Sequence, residues 1–202
     1  MRELRPGLWH WQAPHPEWSE DDDWPRNVSS YALDDGARLL LVDPLAVPAE
    51  LLALTAGREP AIVLTVPWHE RDAKALVERL GAVVFAPRPE NDSPDLGWLR
   101  TESADAHWYA AGDRLPFGAI AFAGREPNDL VLWVESSNAV VPGDSLVDLG
   151  SGLCIPTEWL VEGDTRESVA ARLRPLLDLP VDLVLPTHGA PTDRAALERA
   201  LS

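Results

Sequence analysis

Three times along the chain, a short apolar run ends in a residue able to bind a metal or move a proton. Ala61-Ile62-Val63-Leu64 leads through Thr65, Val66, Pro67 and Trp68 into His69, Glu70, Arg71 and Asp72. Asn138-Ala139-Val140-Val141-Pro142 leads into Gly143 and Asp144, and Leu183-Val184-Leu185-Pro186 leads into Thr187, His188 and Gly189. Short apolar runs bounded by Pro and Gly read as buried strands. A strand that crowds His, Glu, Arg and Asp into the residues after its end places chemistry at a sheet edge.

The rest of the chain supplies partners for these strands. Val28 to Leu33 and Arg38 to Val42 flank the turn Asp34-Asp35-Gly36 and read as a strand pair ending in Asp43-Pro44. Pro48 to Thr55 reads as a short helix, with Pro48 suited to its first turn and Gly57 just past its end. Asp72 to Leu80 is predicted helical, because Ala73, Leu76, Val77 and Leu80 form one apolar stripe. Gly81 ends it. Val83 to Ala86, His107 to Ala111, Ile120 to Ala123 and Leu130 to Val134 read as strands, and Arg88 to Gly97 as a polar, Pro-rich loop. Pro156 to Val161 reads as a turn of helix. Thr165 to Leu177, capped by Asp164 or Thr165, and Pro191 to Leu201 read as helices. Strands in antiparallel-looking pairs, with helices at intervals, are satisfied by two sheets back to back with helices on the outer faces. That makes an α+β chain.

The length of 202 residues suits one domain, 1–202, which includes a Trp-rich, irregular N-terminal segment over 1–27. With 46% hydrophobic residues the chain can bury a core without disulfides, and its single cysteine, Cys154, allows none. Cys154 lies between Leu153 and Ile155 and reads as a small core residue rather than a nucleophile. The net charge of -16 repels phosphate backbones and anionic lipid, so neither nucleic acid nor membrane is expected as a partner. The N-terminus lacks the apolar core of a signal peptide, and the expected location is cytoplasmic. Nine Trp are many for a chain of this size, and Trp9, Trp11, Trp18 and Trp24 cluster near the start. They read either as a hairpin packed on the core or as an aromatic wall over a pocket. No phosphate-binding glycine loop or Gly-x-Ser-x-Gly elbow is present.

This arrangement resembles the metallo-β-lactamase fold superfamily, an αββα sandwich, over nearly the whole chain from about Val28. The family's opening strand pair ends in Asp-Pro, as at Asp43-Pro44. Its central Thr-His-x-His-x-Asp-His corresponds to the stretch from Thr65 to Arg71, and its next motif, Pro-Gly-His-Thr-Pro-Gly-Ser, to Ala123-Gly124-Arg125-Glu126-Pro127-Asn128-Asp129. Its Gly-Asp is matched by Gly143-Asp144, and its Pro-x-His-Gly by Pro186-Thr187-His188-Gly189.

The resemblance implies a hydrolase of a small ester or thioester-like substrate, but the ligands agree only in part. Aligned without gaps, Val66 and Trp68 stand where the first two motif histidines belong, Glu70 at the Asp, Arg71 at the last histidine and Arg125 at the next motif's histidine. Val, Trp and Arg do not coordinate, so one of the family's two metal positions is lost. The other is expected to hold one Zn, Fe or Mn ion through Glu70, Asp144 and His188. Glu70 and His69 are then the catalytic candidates. His69 reads first as a polar residue leading the helix near Asp72, and otherwise as a general base. A metal-free alternative has the same standing: Arg71 and Arg125 pair with the carboxylates and, with Trp68, bind a small and anionic ligand, leaving a catalytically degenerate binding or interaction protein.

Overall fold

The computed structural model describes residues 1–89, Trp98 and residues 106–202. From residue 90 on, the polar loop expected over 88–97 lies outside the described residues. Seven strands follow one another in chain order across the first sheet: β1 (Arg2–Arg5), β2 (Leu8–Pro14), β3 (Asn27–Asp34), β4 (Arg38–Val42), β5 (Glu59–Val63), β6 (Val83–Pro87) and β7 (Ala106–Tyr109). The first four are antiparallel, and β4 through β7 run parallel, with Leu40 opposite Ala61 and Val42 opposite Val63.

The second sheet holds β8 (Arg114–Leu115), β9 (Ala119–Ala123), β10 (Leu130–Val134), β11 (Ala139–Val141), β14 (Leu183–Val184) and β15 (Thr192–Asp193), and β11 and β14 run parallel. A two-stranded ribbon, β12 (Val147–Asp148) and β13 (Leu153–Cys154), lies between them in sequence. The helices are α1 (Ala49–Leu54), α2 (Ala73–Leu80), α3 (Arg166–Leu173) and α4 (Arg194–Ala200). None of the described helices is long and apolar enough to cross a membrane.

Alternation along the strands builds the layers. Leu40 and Val42 point into the cluster between the sheets, against Leu130, Leu132 and Val134. Their neighbours Leu39 and Leu41 point the other way and pack with Leu51 of α1 and Leu76 of α2. On the second sheet, Val131 and Trp133 face outward onto Val169 and Leu173 of α3 and Leu197 of α4. Helix, sheet, sheet, helix is the expected four-layer αββα order.

The N-terminal stretch differs from its irregular reading, because β1 and β2 extend the first sheet. Trp9 and Trp11 lie on its helix-covered face, and the Trp11 indole donates to the Leu45 carbonyl at 2.8 Å. His10 and Gln12 alternate with them and meet the Ser29 hydroxyl at 2.9 and 3.2 Å. Period-two alternation of Trp against His and Gln carries little hydrophobic contrast, which is why the strand is hard to see in sequence. After Pro14 the chain up to Arg26 is irregular.

At one edge the sheets are laced together by polar bonds. The Leu130 N–H donates to the Thr65 carbonyl at 3.1 Å and the Ser29 N–H to that of Thr187 at 2.8 Å. The Tyr31 hydroxyl donates to the Pro186 carbonyl at 2.7 Å, and within the first sheet the Tyr109 hydroxyl donates to the Leu64 carbonyl at 2.7 Å. This is the edge at which β4, β5, β11 and β14 end.

Candidate functional site

Asp43 follows β4, Thr65 to His69 follow β5, Asp144 follows β11 and His188 follows β14. Parallel pairing of β4 with β5 and of β11 with β14 brings these ends to one edge, where a site between sheets is built from strand termini. Gly143 makes the turn that aims Asp144. Its φ is 58°, and a Cβ there would sit 2.5 Å from Asp129 Oδ1, so the position demands glycine.

Three ligand atoms converge. His69 Nε2 lies 3.4 Å from Asp144 Oδ1, His188 Nε2 lies 3.5 Å from the same oxygen, and one ligand atom from each residue falls within 4.8 Å of the others. All three residues are buried. Asp43 orders the first: its carboxylate accepts from the Thr65 N–H at 2.8 Å and the Thr65 hydroxyl at 2.6 Å, and its Oδ2 lies 3.2 Å from His69 Nδ1. The His69 ring therefore stands between two carboxylates, Nδ1 toward Asp43 and Nε2 toward Asp144. The Trp68 indole donates to the other oxygen of Asp144 at 2.7 Å.

The electrostatics follow from burial and neighbours. Burial first of all pushes His188 down to about 4, so it is neutral at pH 7, and its Nδ1 is buried without a hydrogen-bond partner. Burial pushes the Asp144 carboxyl up, but the imidazoles of His69 and His188 and the Trp68 N–H outweigh it and hold the group below the usual carboxylate range. Behind it, burial and then the Asp144 charge raise the Asp129 carboxyl well above that range. Asp129 accepts from the Ser145 hydroxyl at 2.9 Å and the Asp144 N–H at 3.2 Å.

A cavity of about 330 Å³ opens over these groups. Trp24, Trp68 and Trp159 wall it, and Trp24 and Trp159 both stand edge-on to the His188 ring, with centroids at 5.3 and 5.6 Å. Asp23 accepts from the Trp159 indole at 2.8 Å, tying the N-terminal loop to the residues before α3.

Most of the residues singled out in sequence meet here. Asp144, His188, His69, Trp68, Arg71 and Arg125 all line this cavity. Glu70 lies outside the His69–Asp144–His188 group and lines a neighbouring cavity beyond Trp68, with Asp72. Arg125 is spent on protein groups: it lies 2.6 Å from Glu126, its Nε donates to Asp129 at 3.3 Å, it donates to the Trp159 carbonyl, and its guanidinium lies over the Trp68 ring. Arg71, in the left-handed backbone region at φ 46°, donates through Nη1 to the carbonyls of Ser29 at 2.8 Å and Asp43 at 2.7 Å.

His10, His107 and Cys154 lie outside the lining; the His107 ring stacks on Phe85, and Cys154 is half-buried in β13. Sequence reasoning noted Asp43 only as a strand end and left Trp159 unplaced, while Trp24 was one of the cluster read either as core packing or as an aromatic wall over a pocket. Asp43-Pro44 repeats the layout of a strand running into an acid, which is the signal that could have found it.

No protein-family model and no curated sequence matches the chain. Solved structures do. It is similar to the metallo-β-lactamase DIM-1 exposed to ceftazidime, at 18% identity over 99% of this chain and 93% of that one, with a TM-score of 0.71. The metallo-β-lactamase family protein TTHA1429 from Thermus thermophilus is 18% identical over 98% of this chain and 78% of that one, with a TM-score of 0.65. The structure called TMB-1 is 18% identical over 99% and 94%, at 0.70. The chain therefore has the metallo-β-lactamase fold.

Proposed function

We propose that the protein is a hydrolase of a small ester or thioester-like substrate, working with a single divalent metal held by His69, Asp144 and His188. The observation that carries the reading is the convergence of two imidazole nitrogens on one carboxylate oxygen at 3.4 and 3.5 Å. A proton on Nδ1 toward Asp43 would turn the Nε2 lone pair of His69 toward Asp144, an arrangement that a cation between them would relieve. Two histidines and one carboxylate suit Zn²⁺ or Fe²⁺ and leave positions open for water and substrate. The unpartnered Nδ1 of buried His188 adds a polar atom that the protein alone does not satisfy.

A bound divalent ion would supply Lewis acidity and a coordinated water of lowered pKa. The chain does the rest. Asp43 fixes the His69 ring and tautomer, as carboxylates do behind metal-bound histidines. Trp68 fixes the Asp144 carboxylate by one oxygen and leaves the other for the ligand position. Trp24 and Trp159 cover His188 and keep bulk water from it. Val66, Trp68 and Arg125 at the other family metal position support one metal rather than two.

The second reading, a metal-free binding protein, has its own supporting observation. Trp68 takes one oxygen of Asp144, and Arg71, a cation lining the cavity, has two buried nitrogens without a hydrogen-bond partner. Metal content separates the two. Elemental analysis of protein incubated with Zn²⁺, Mn²⁺ or Fe²⁺ and desalted is expected to give about one ion per chain, lost in His69→Ala and in Asp144→Asn, with hydrolysis of p-nitrophenyl acetate lost in parallel. Metal-free protein under all three ions, or variants that retain the ion, would overturn the hydrolase reading in favour of the second.

A further inference from the structure

The two imidazoles of the site are held in different ways. His69 has the Asp43 carboxylate 3.2 Å behind its Nδ1, the kind of partner that orients a metal-bound histidine through its second nitrogen. His188 has no such partner among the described residues: its Nδ1 is buried and makes no hydrogen bond. Trp24 and Trp159 stand edge-on to its ring, and the Trp159 indole N–H goes to Asp23 instead. No directional bond aims the ring itself, so its direction is set by the backbone that carries it.

That backbone is held at each carbonyl from residue 186 to residue 189. The Pro186 carbonyl accepts from the Tyr31 hydroxyl at 2.7 Å, that of Thr187 from the Ser29 N–H at 2.8 Å and that of His188 from the Asp148 N–H at 2.8 Å. The Gly189 carbonyl accepts from the Ser29 hydroxyl at 2.6 Å and from the Gln12 amide at 3.2 Å. Ser29, fully buried on β3, therefore grips the residue on each side of His188, Thr187 by its N–H and Gly189 by its hydroxyl. A carbonyl only accepts, so the Ser29 proton lies toward Gly189, and its oxygen accepts from Gln12 at 3.2 Å and faces His10 Nε2 at 2.9 Å. On the other side, the Thr187 hydroxyl donates to the Gly143 carbonyl at 3.0 Å and ties the same segment to the turn that aims Asp144.

We propose that Ser29 is the positioning residue for His188: from the first sheet it fixes the residues on either side of a second-sheet histidine whose ring has no hydrogen bond to orient it. This deepens the proposed function and rests on that reading for the statement that His188 holds a metal. The placing of the ring by Ser29 stands without it. Loss of the hydroxyl leaves the Gly189 carbonyl to Gln12 alone and frees the segment to turn, which carries His188 Nε2 away from the Asp144 oxygen that it faces at 3.5 Å.

Calorimetric competition with a chelator measures the zinc affinity of the full chain and of Ser29→Ala, under conditions in which urea titration shows both fully folded. Affinity read on a fully folded population does not depend on how stable that population is, so a hydroxyl that only adds stability would leave it unchanged. The expected result in Ser29→Ala is a fall of about tenfold. Thr55→Ala loses a hydroxyl-to-carbonyl bond of 2.7 Å just before β5, at the far end of the first sheet, and is expected to keep the affinity of the unaltered protein. In EDTA, the ring resonances of His188 are expected to shift or broaden in Ser29→Ala and to stay in place in Thr55→Ala. A fall of less than about threefold in Ser29→Ala, or an equal fall in Thr55→Ala, overturns the proposal. A protein that takes up no zinc fails the hydrolase reading, and the spectra in EDTA then decide the positioning role: His188 resonances unmoved by Ser29→Ala overturn it.

Discussion

Asp43 organises the site through both ends of one residue. Its backbone is left-handed, φ 43°, a region that Asp tolerates better than most side chains. Its carboxylate takes the Thr65 N–H and hydroxyl and faces His69 Nδ1, while its carbonyl takes the Ser30 hydroxyl and Arg71 Nη1. One side chain therefore orients the proposed ligand His69, and one carbonyl holds the Arg71 guanidinium. Asp43→Asn replaces one acceptor by a donor that must face either Thr65 or His69. Zinc affinity, measured by calorimetric competition with a chelator, is expected to fall about 10- to 100-fold. An unchanged affinity would mean that His69 is oriented by something else.

Among the elements, the turns after β9 and β11 leave little room at Asp129. Gly124 and Gly143 both approach Asp129, and an added Cβ would lie 2.3 Å from its carbonyl oxygen in one case and 2.5 Å from its carboxylate in the other. Gly143→Ala combines that collision with a positive φ, and each such strained backbone position costs about 1–3 kcal/mol. Its urea midpoint is expected to drop accordingly, with metal uptake impaired because Asp144 is displaced. A midpoint equal to that of the unaltered protein would show that the turn can relax. The helix α3 follows sequence logic closely. Thr165 accepts from the Ser168 N–H at 3.2 Å and the Ser168 hydroxyl accepts in return from the Thr165 N–H, so of the two caps the sequence offered, Asp164 or Thr165, the structure uses Thr165. The α-helix ends at Leu173, and residues Arg174–Asp178 continue as 3₁₀ because Pro175 cannot donate into the ladder.

At the scale of the whole molecule, acid is expected to unfold the metal-free protein earlier than its carboxylates alone would require. His188 and His10 are each lowered from 6.5 to about 4, chiefly by burial. Between those values the unfolded chain binds protons that the folded chain does not, so stability is full above pH 6.5 and is lost as pH falls toward 4. Melting temperatures in EDTA are expected to decline across that window, and His10→Gln, outside the site, to make the decline shallower; an identical slope in that variant would remove His10 from the account. The layers themselves were legible in the sequence, because the unbroken apolar run from Leu39 to Val42, which suits a strand covered on both faces, and the apolar stripe of α2 depend only on local pattern. So were Asp144 and His188, each marked by a glycine beside a strand end. The part of His69 was not, since no spacing along the chain reveals that its ring turns back onto Asp43 and across to the second sheet, nor that Glu70 faces the other side of Trp68. The commitments of Arg125 to Glu126 and Asp129, and of Arg71 to the Ser29 and Asp43 carbonyls, were likewise set by which groups meet where the two sheets join. Sequence determined the strands, the helices and the residues available at their ends. Tertiary packing alone decided which of them face one another, because burial and partners, rather than residue type, determine which ligand atoms and charges stay uncommitted.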